Sequence, residues 1–191
     1  MNELYPSMDQ GENLPEAAVD EESDIKIEPE NIGVNFDPKV GTLLLGLGGI
    51  ENLAPNLLED ISKLGFTPKA ELHLTIIGYK QGNMLKRVII DNPELAEKIA
   101  ILAQSIDWNI QSTKERYMLT KQYNGEDTQR QSIIEMVICL ENEDFINQLN
   151  TITGLNLEEQ PPHVTVATKG NPQGIGINTY QDIVSLGEKL N

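Results

Sequence analysis

Two short segments that repeat one polar pattern constrain the fold of this chain more than any other feature. Residues 71–79 read ELHLTIIGY, and residues 162–169 read PHVTVATK. Each segment places a histidine and, two residues later, a threonine within an apolar run: His73 with Thr75, and His163 with Thr165. Apolar, β-branched runs of this length are typical of β-strands. The sequence therefore predicts two strands that contain the only two histidines of the chain.

Because side chains alternate along a strand, each histidine shares a face with its threonine. The alternation predicts that one face of the first strand carries His73, Thr75, Ile77 and Tyr79, with Leu72, Leu74 and Ile76 toward the core. It predicts that one face of the second strand carries His163, Thr165, Ala167 and Lys169, with Val164 and Val166 behind. Packing alone does not explain a polar pair that recurs on two hydrophobic strands.

The negative charge of the chain is concentrated near its amino terminus. The formal net charge is −16, and residues 1–37 hold eleven Asp and Glu residues against Lys26 alone, which leaves −10 in this segment and −6 in the rest. A proline-containing acidic segment without apolar periodicity cannot offset its ordering entropy by burial. We therefore expect a disordered tail over residues 1–37 and one domain over residues 38–191, the alternative being a docking or autoinhibitory tail.

The composition also limits the partners and the compartment. A mildly acidic domain disfavours long duplex nucleic acid, whose affinity comes largely from phosphate neutralisation, but permits a ligand with few phosphates. Cys139 is the only cysteine, so an intramolecular disulfide is excluded and a reducing compartment is favoured. Because no apolar stretch reaches membrane-spanning length and no signal peptide is evident, we expect a soluble cytoplasmic protein with no membrane partner.

Periodicity predicts an α+β chain built from two similar halves. The first half comprises a strand at 40–47, a helix at 55–64, the His73 strand, a basic loop with Lys80, Gly82, Lys86 and Arg87, and a helix from Asn92. The second half comprises an extended segment at 107–122, a turn at Asn124-Gly125, a strand at 133–140, a helix at 142–150, the His163 strand, and a helix from Thr179. We expect an α+β fold with two sheet-bearing lobes, and the two histidine strands side by side across a cleft.

Two imidazoles that face one cleft suit acid–base chemistry on a phosphodiester. Histidine exchanges protons near neutrality, so one ring can act as the base and the other as the acid, each contributing roughly 10²- to 10⁴-fold. Threonine hydroxyls can donate hydrogen bonds to the non-bridging phosphate oxygens, where charge builds up. This chemistry requires no metal and no cofactor, and a zinc site is disfavoured because two histidines and the distant Cys139 lack ligand spacing.

Leu72-His-Leu-Thr75 and Pro162-His-Val-Thr165 resemble the paired His-x-Thr/Ser motifs of the two-histidine (2H) phosphoesterase superfamily, which includes bacterial 2′-5′ RNA ligase and cyclic phosphodiesterase-like enzymes. The resemblance covers about residues 40–190. It implies a bilobal fold of two pseudo-symmetric antiparallel-sheet lobes, with helices on the outside and a central cleft. It also implies His73 and His163 as the acid–base pair, and Thr75 and Thr165 as donors to phosphate. It also implies metal-independent action on 2′,3′-cyclic phosphates, 2′-5′ linkages, or short or cyclic oligonucleotides.

Three further residues are candidates for binding a nucleotide or short oligoribonucleotide substrate. Lys169 is expected to contact phosphate because it is predicted to share a face with His163. Tyr79 and Tyr123 are candidates for stacking on a base. Trp108 is expected to pack between a helix and a strand. The alternatives are a module that binds nucleotides without turnover and an interaction protein that works through its acidic tail; base preference, reaction direction, the division of acid and base roles, and oligomeric state stay open.

Overall fold

The computed structural model describes residues 25–53 and 57–190, and all structural statements refer to these residues. Nine strands form one antiparallel sheet: β1 (Lys26–Ile27), β2 (Gly33–Asp37), β3 (Thr42–Gly48), β4 (Thr67–Pro68), β5 (Leu72–Ile77), β6 (Ile110–Lys121), β7 (Arg130–Ile138), β8 (His163–Lys169) and β9 (Gly187–Leu190). Five α-helices accompany them: α1 (Leu58–Lys63), α2 (Tyr79–Asp91), α3 (Glu94–Ser105), α4 (Glu141–Thr153) and α5 (Tyr180–Leu186). The α+β class is confirmed.

The two histidine strands are neighbours at the centre of the sheet. The strand order is β1-β6-β7-β8-β5-β3-β2, while β4 pairs with β8 and β9 pairs with β6. On one side of the centre, hairpin β2–β3 and helix α1 precede β5; on the other, hairpin β6–β7 and helix α4 precede β8. The two halves of the chain therefore repeat a hairpin–helix–strand order about the boundary between β5 and β8.

One face of the sheet packs against helices and forms the main core. Apolar residues at helical spacing supply the helical side of this core, including Leu85 of α2, Ile99 of α3 and Phe145 of α4, all fully buried. Trp108 follows α3, lies 5.4 Å from the Phe145 ring between centroids, and donates from Nε1 to the carbonyl of Ala103 at 2.8 Å. The predicted packing role of Trp108 is confirmed.

A smaller apolar cluster covers part of the opposite face. Ile134 of β7 lies opposite Thr165 of β8, so both side chains point away from the main core. Ile175 and Ile177 of the loop before α5, together with Ile183 of that helix, pack against Ile134. The loop and α5 thereby bound an open region of this face, next to the histidine strands.

The prediction of a disordered segment is wrong for residues 25–37, while residues 1–24 lie outside the described residues. Strand β1 pairs with β6, and β2 pairs with β3 over its whole length. Ile27 is only 3% exposed, and Val34 and Phe36 pack against the main core. These three apolar side chains offset the ordering of a short segment whose charge and prolines predicted disorder.

The predicted basic loop after the first histidine strand is also wrong, because residues 79–91 form α2. Gly82 looked like a turn residue, but it lies inside the helix where α2 meets the turn between β2 and β3. A Cβ on Gly82 would lie 3.1 Å from the carbonyl carbon and oxygen of Gly41. The glycine therefore permits close packing between helix and turn.

The other predicted elements are confirmed within the usual uncertainty of their ends. Residues 55 and 56, where the predicted helix at 55–64 begins, lie outside the described residues. The strands at 40–47 and 133–140 correspond to β3 and β7, and the Asn124-Gly125 turn joins β6 to β7, with Gly125 at φ 84°. Thr179 caps α5 by accepting a hydrogen bond from the amide of Asp182. No helix among residues 25–53 and 57–190 is long and apolar enough to cross a membrane.

Candidate active site

The register of the two central strands brings both His-x-Thr motifs onto one face. Leu74 lies opposite Val164, and both are buried in the main core. In an antiparallel pair this register places His73 opposite Thr165, and Thr75 opposite His163, on the face away from the main core. The two imidazoles are diagonal neighbours, with Cβ atoms about 7–8 Å apart or slightly closer.

Both motifs end in a β-bulge at the same position. In β5, Thr75 lies opposite Leu44 of β3, but Ile77 lies opposite Leu43, so the strand holds one extra residue after the threonine. In β8, Thr165 and Ala167 lie opposite consecutive residues of β7 in the same way. Each bulge reverses the alternation of faces, since two β5 or β8 residues oppose one on the partner strand.

The bulges make part of the predicted face assignment wrong. Ile77 and Ala167 were expected to share the faces of the histidines, but both are fully buried in the main core. The extra residue in β8 also turns Lys169 away from His163. Its Nζ donates to the carbonyl of Leu64 at 3.1 Å and lies 5.5 Å from the Phe66 ring centroid. The structure does not bring Lys169 to the histidine pair.

The four residues of the paired motifs line one cavity of about 170 Å³, together with Lys69 and residues 174–176. Thr75 and Thr165 line this cavity, and a threonine hydroxyl there can donate a hydrogen bond to a ligand. Gly174 lies close to Thr165 on the cavity wall, since a Cβ added to Gly174 would lie 3.1 Å from Thr165 Oγ1. The cavity is therefore a small polar site with two imidazoles and two hydroxyls.

His163 is held in one orientation by the chain just before it. His163 is 8% exposed, and its ring Nδ1 lies 2.7 Å from the carbonyl oxygen of Pro161. A carbonyl can only accept, so Nδ1 carries a proton and Nε2 is left for the cavity. Burial lowers the pKa of His163, the Pro161 carbonyl partly opposes this shift, and the charge on His73 lowers the pKa further.

His73 is more accessible than His163 and has a different electrostatic neighbour. Burial is the larger cause that lowers the pKa of His73, and the positive charge of Lys69 lowers it further. Lys69 is placed by β4, which pairs with β8, and by its amide, which donates to the carbonyl of Val166 at 2.9 Å. Its Nζ donates to the carbonyl of Pro172 at 3.0 Å. Both rings therefore favour the neutral form at pH 7.

Lys69 is the one charged residue of this cavity that sequence reasoning missed. A lysine four residues before the histidine strand gives no signal on its own, and only the two-residue pairing of β4 with β8 turns it toward His73. Among the basic residues near the motifs, Arg116 pairs with the buried Glu135 and Arg130 pairs with Glu126, so both have intramolecular partners.

The two candidate tyrosines lie in a second cavity that adjoins the first. This cavity has a volume of about 390 Å³ and shares Thr75 and His163 with the smaller one. Tyr79 is 71% exposed at the start of α2. The Tyr123 ring lies 4.3 Å from the Arg130 guanidinium carbon and 5.1 Å from Lys121 Nζ. The structure thus brings Tyr79 and Tyr123 together beside the histidine pair.

No protein-family model, no curated protein and no solved structure matches this chain. Among the described residues, no group of three or more His, Cys, Asp and Glu side chains is arranged to hold a metal ion.

Proposed function

We propose that this protein is a metal-independent phosphodiesterase that acts on RNA-type phosphates by paired-histidine acid–base catalysis. The observation that carries the proposal is the register of β5 and β8, which leaves His73 and His163 as diagonal neighbours in one cavity. Acid–base catalysis of phosphoryl transfer needs one proton acceptor and one proton donor on either side of phosphorus. Two imidazoles at this spacing suit that requirement.

In the proposed hydrolysis of a 2′,3′-cyclic phosphate, a water oxygen attacks phosphorus and one ribose oxygen leaves. One imidazole takes the proton of the attacking water, and the other gives its proton to the departing oxygen. In the cleavage version, the ribose 2′-hydroxyl replaces the water as nucleophile. Thr75 and Thr165 donate to the non-bridging oxygens, and Lys69 offsets the negative charge that builds there. Tyr79 and Tyr123 are proposed to contact the base.

We further propose that the chain belongs to the 2H phosphoesterase superfamily and has a bilobal arrangement. Support comes from the repeated hairpin–helix–strand order and from the matching bulges that follow Thr75 and Thr165. In this arrangement β2, β3 and β5 would belong to one lobe and β6, β7 and β8 to the other. Cytoplasmic location fits such a substrate and stays part of the proposal.

The test is turnover in the presence of EDTA. The substrates are 2′,3′-cyclic nucleotides, 2′-5′ and 3′-5′ dinucleotides, and cyclic oligonucleotides. We expect turnover of at least one class, with His73→Ala and His163→Ala each lowering kcat/KM by roughly 10²- to 10⁴-fold. Lys169→Ala is the matched control, because this lysine lies away from the cavity and its loss should leave kcat/KM within about twofold.

Two outcomes would contradict the proposal. Tight nucleotide binding without turnover of any substrate would mean that the cavity belongs to a binding module. Turnover that survives both histidine substitutions would mean that the reaction takes place elsewhere on the protein.

A further inference from the structure

We infer that the larger cavity holds a second phosphate of the substrate, at the amino terminus of α2. The inference rests on the proposed function, because the first phosphate is the one between His73 and His163. The two cavities meet at Thr75 and His163, so a ligand that fills both would place its two anionic groups side by side.

The first feature of this subsite is the start of a 13-residue helix. Gly78, Tyr79 and Lys80 line the larger cavity, and they are the N-cap and first residues of α2. The first amide groups of an α-helix have no acceptor within the helix, and the helix dipole adds partial positive charge there. Gly78 provides no side-chain cap, so these amides are left for an anion.

The second feature is Gln160, which lines the same cavity beside the helix start. Gln160 is 4% exposed, and its Nε2 has no hydrogen-bond partner among the described residues. A buried amide donor without an acceptor costs free energy, which a ligand oxygen would recover. The side-chain amide of Gln160 also lies against Gly78. A Cβ added to Gly78 would lie 3.0 Å from Gln160 Oε1 and 3.2 Å from its Nε2. The glycine keeps the amide and the helix start in contact.

The third feature is positive charge at the rim. Lys80 and Lys121 both line the larger cavity. None of the residues that line it is an Asp or a Glu. Lys121 also acts on Asp182 of α5, outside this lining, where its charge is the smallest of the causes that lower the pKa of that carboxyl. Helix amides, an unpaired buried amide and two lysines together form a binding site for a phosphate dianion or diester.

This subsite predicts the class of substrate. A nucleoside cyclic phosphate with a single phosphate would leave the helix start, Gln160 and both lysines unused. A substrate with a second phosphate near the scissile one would use them. The second phosphate could be a terminal monophosphate or the next diester of an oligonucleotide chain, and both present the same oxygens to the subsite.

Calorimetric titration with uncleavable ligands tests the subsite independently of turnover. The probes are adenosine 3′,5′-bisphosphate, adenosine 3′-monophosphate and adenosine 5′-monophosphate, none of which contains a diester. We expect the bisphosphate to bind about tenfold tighter, or more, than either monophosphate. Lys121→Ala and Gln160→Leu should each remove most of that difference, whereas Lys86→Ala, an exposed lysine of α2 outside the cavity, should keep it.

Because Gln160 is buried, its substitution can destabilise the fold, and Lys121→Ala at the rim keeps the test valid. Equal affinity for bisphosphate and monophosphates, or a bisphosphate advantage that survives Lys121→Ala, would overturn the inference. A bisphosphate advantage in a protein that turns over no diester would instead keep the subsite and remove the proposed function.

A second comparison identifies the source of the phosphate. Adenylyl dinucleotide and trinucleotide without terminal phosphates, titrated into His73→Ala protein, differ by one internal diester. Tighter binding of the trinucleotide assigns the subsite to a chain diester. Equal binding of the two, together with the bisphosphate advantage, assigns it to a terminal monophosphate.

Discussion

Lys69→Ala should move the pH dependence of the reaction toward higher pH. In the proposed mechanism only the form with one neutral and one protonated histidine is active, so kcat/KM is largest between the two pKa values of the free enzyme. Burial and the Lys69 charge lower the pKa of His73, and burial lowers the pKa of His163. Both values therefore lie below the ordinary histidine value of about 6.5.

The upper limit of about 6.5 on both histidine pKa values sets how steeply kcat/KM falls with rising pH. With both pKa values below about 6.5, the active form at pH 7.5 is at most about a tenth of the enzyme, and kcat/KM falls about tenfold for each further pH unit. Removing Lys69 takes away one cause that lowers the pKa of His73. The alkaline limb should then move to higher pH, while the maximum itself falls because a positive charge beside the phosphate is lost.

The assay is kcat/KM from pH 4.5 to 9 on a 2′,3′-cyclic nucleotide, for wild type, Lys69→Ala and the control Lys169→Ala. Expressing each profile relative to its own maximum separates the pKa effect from the loss of phosphate stabilisation. A wild-type optimum above pH 7 would refute the assignment of lowered pKa values. An alkaline limb that stays in place, or moves down, in Lys69→Ala would refute the role of the lysine charge.

Three further predictions concern stability and reactivity. The pKa of His163 is lower in the folded protein than in the unfolded chain, so its contribution to stability is complete above about pH 6.5 and is lost as pH falls. The melting temperature of wild type should therefore drop more between pH 7.5 and 5.5 than that of His163→Gln. Equal drops measured by calorimetry would contradict this prediction. Gly41→Ala should lower the free energy of unfolding in urea more than Gly154→Ala does. Both glycines have positive φ, but only a Cβ on Gly41 would overlap the carbonyl of Gly82. Gly154→Ala should lower the free energy of unfolding by about 1–2 kcal/mol, and equal losses in the two variants would mean that the contact between α2 and the β2–β3 turn is loose. Burial, and to a lesser extent Glu141, raise the pKa of Cys139 to about 12. Iodoacetamide at pH 8 should therefore label Cys139 in urea but not in the native protein. Fast labelling of the native protein would contradict this prediction, because it would show an accessible thiolate.

The sequence predicts the central strands well because their signals are local. An apolar β-branched run with a polar pair at spacing two is recognisable without knowing its neighbours, and β5 and β8 appear within a residue or two of where the pattern puts them. The amphipathic stripe of α3 and the capping residue Thr179 of α5 are equally local signals. Each of these features is determined within a few residues of chain.

The errors come from contacts between distant segments. The bulges after Thr75 and Thr165 depend on registers with β3 and β7, which no strand shows by itself, so the face of Lys169 was predicted incorrectly. The position of Lys69 depends on β4, whose two residues are too short to give a pattern. The sequence predicts a loop at Gly82 because, by sequence alone, a glycine that permits helix–turn packing cannot be told from a glycine in a turn.

The acidic segment before residue 38 shows a different limit. Composition averaged over residues 1–37 predicts disorder, but Ile27, Val34 and Phe36 contribute apolar contacts that an average does not resolve. A short strand at the edge of an existing sheet needs few such contacts, since the sheet supplies its hydrogen-bond partners.

The Leu74–Val164 pairing at the centre of the sheet has a consequence for how the proposed mechanism divides the acid and base roles. In that mechanism, a substrate phosphate between two equivalent His-x-Thr units meets the same groups whether its leaving oxygen points toward one strand or the other. Only the surroundings make the two orientations unequal: the Lys69 ammonium beside one ring, and the Pro161 carbonyl fixing the tautomer of the other. These flanking groups, and not the paired motifs, would then decide which ring takes the proton and which ring gives it. The reverse reaction passes through the same transition state with these two roles exchanged.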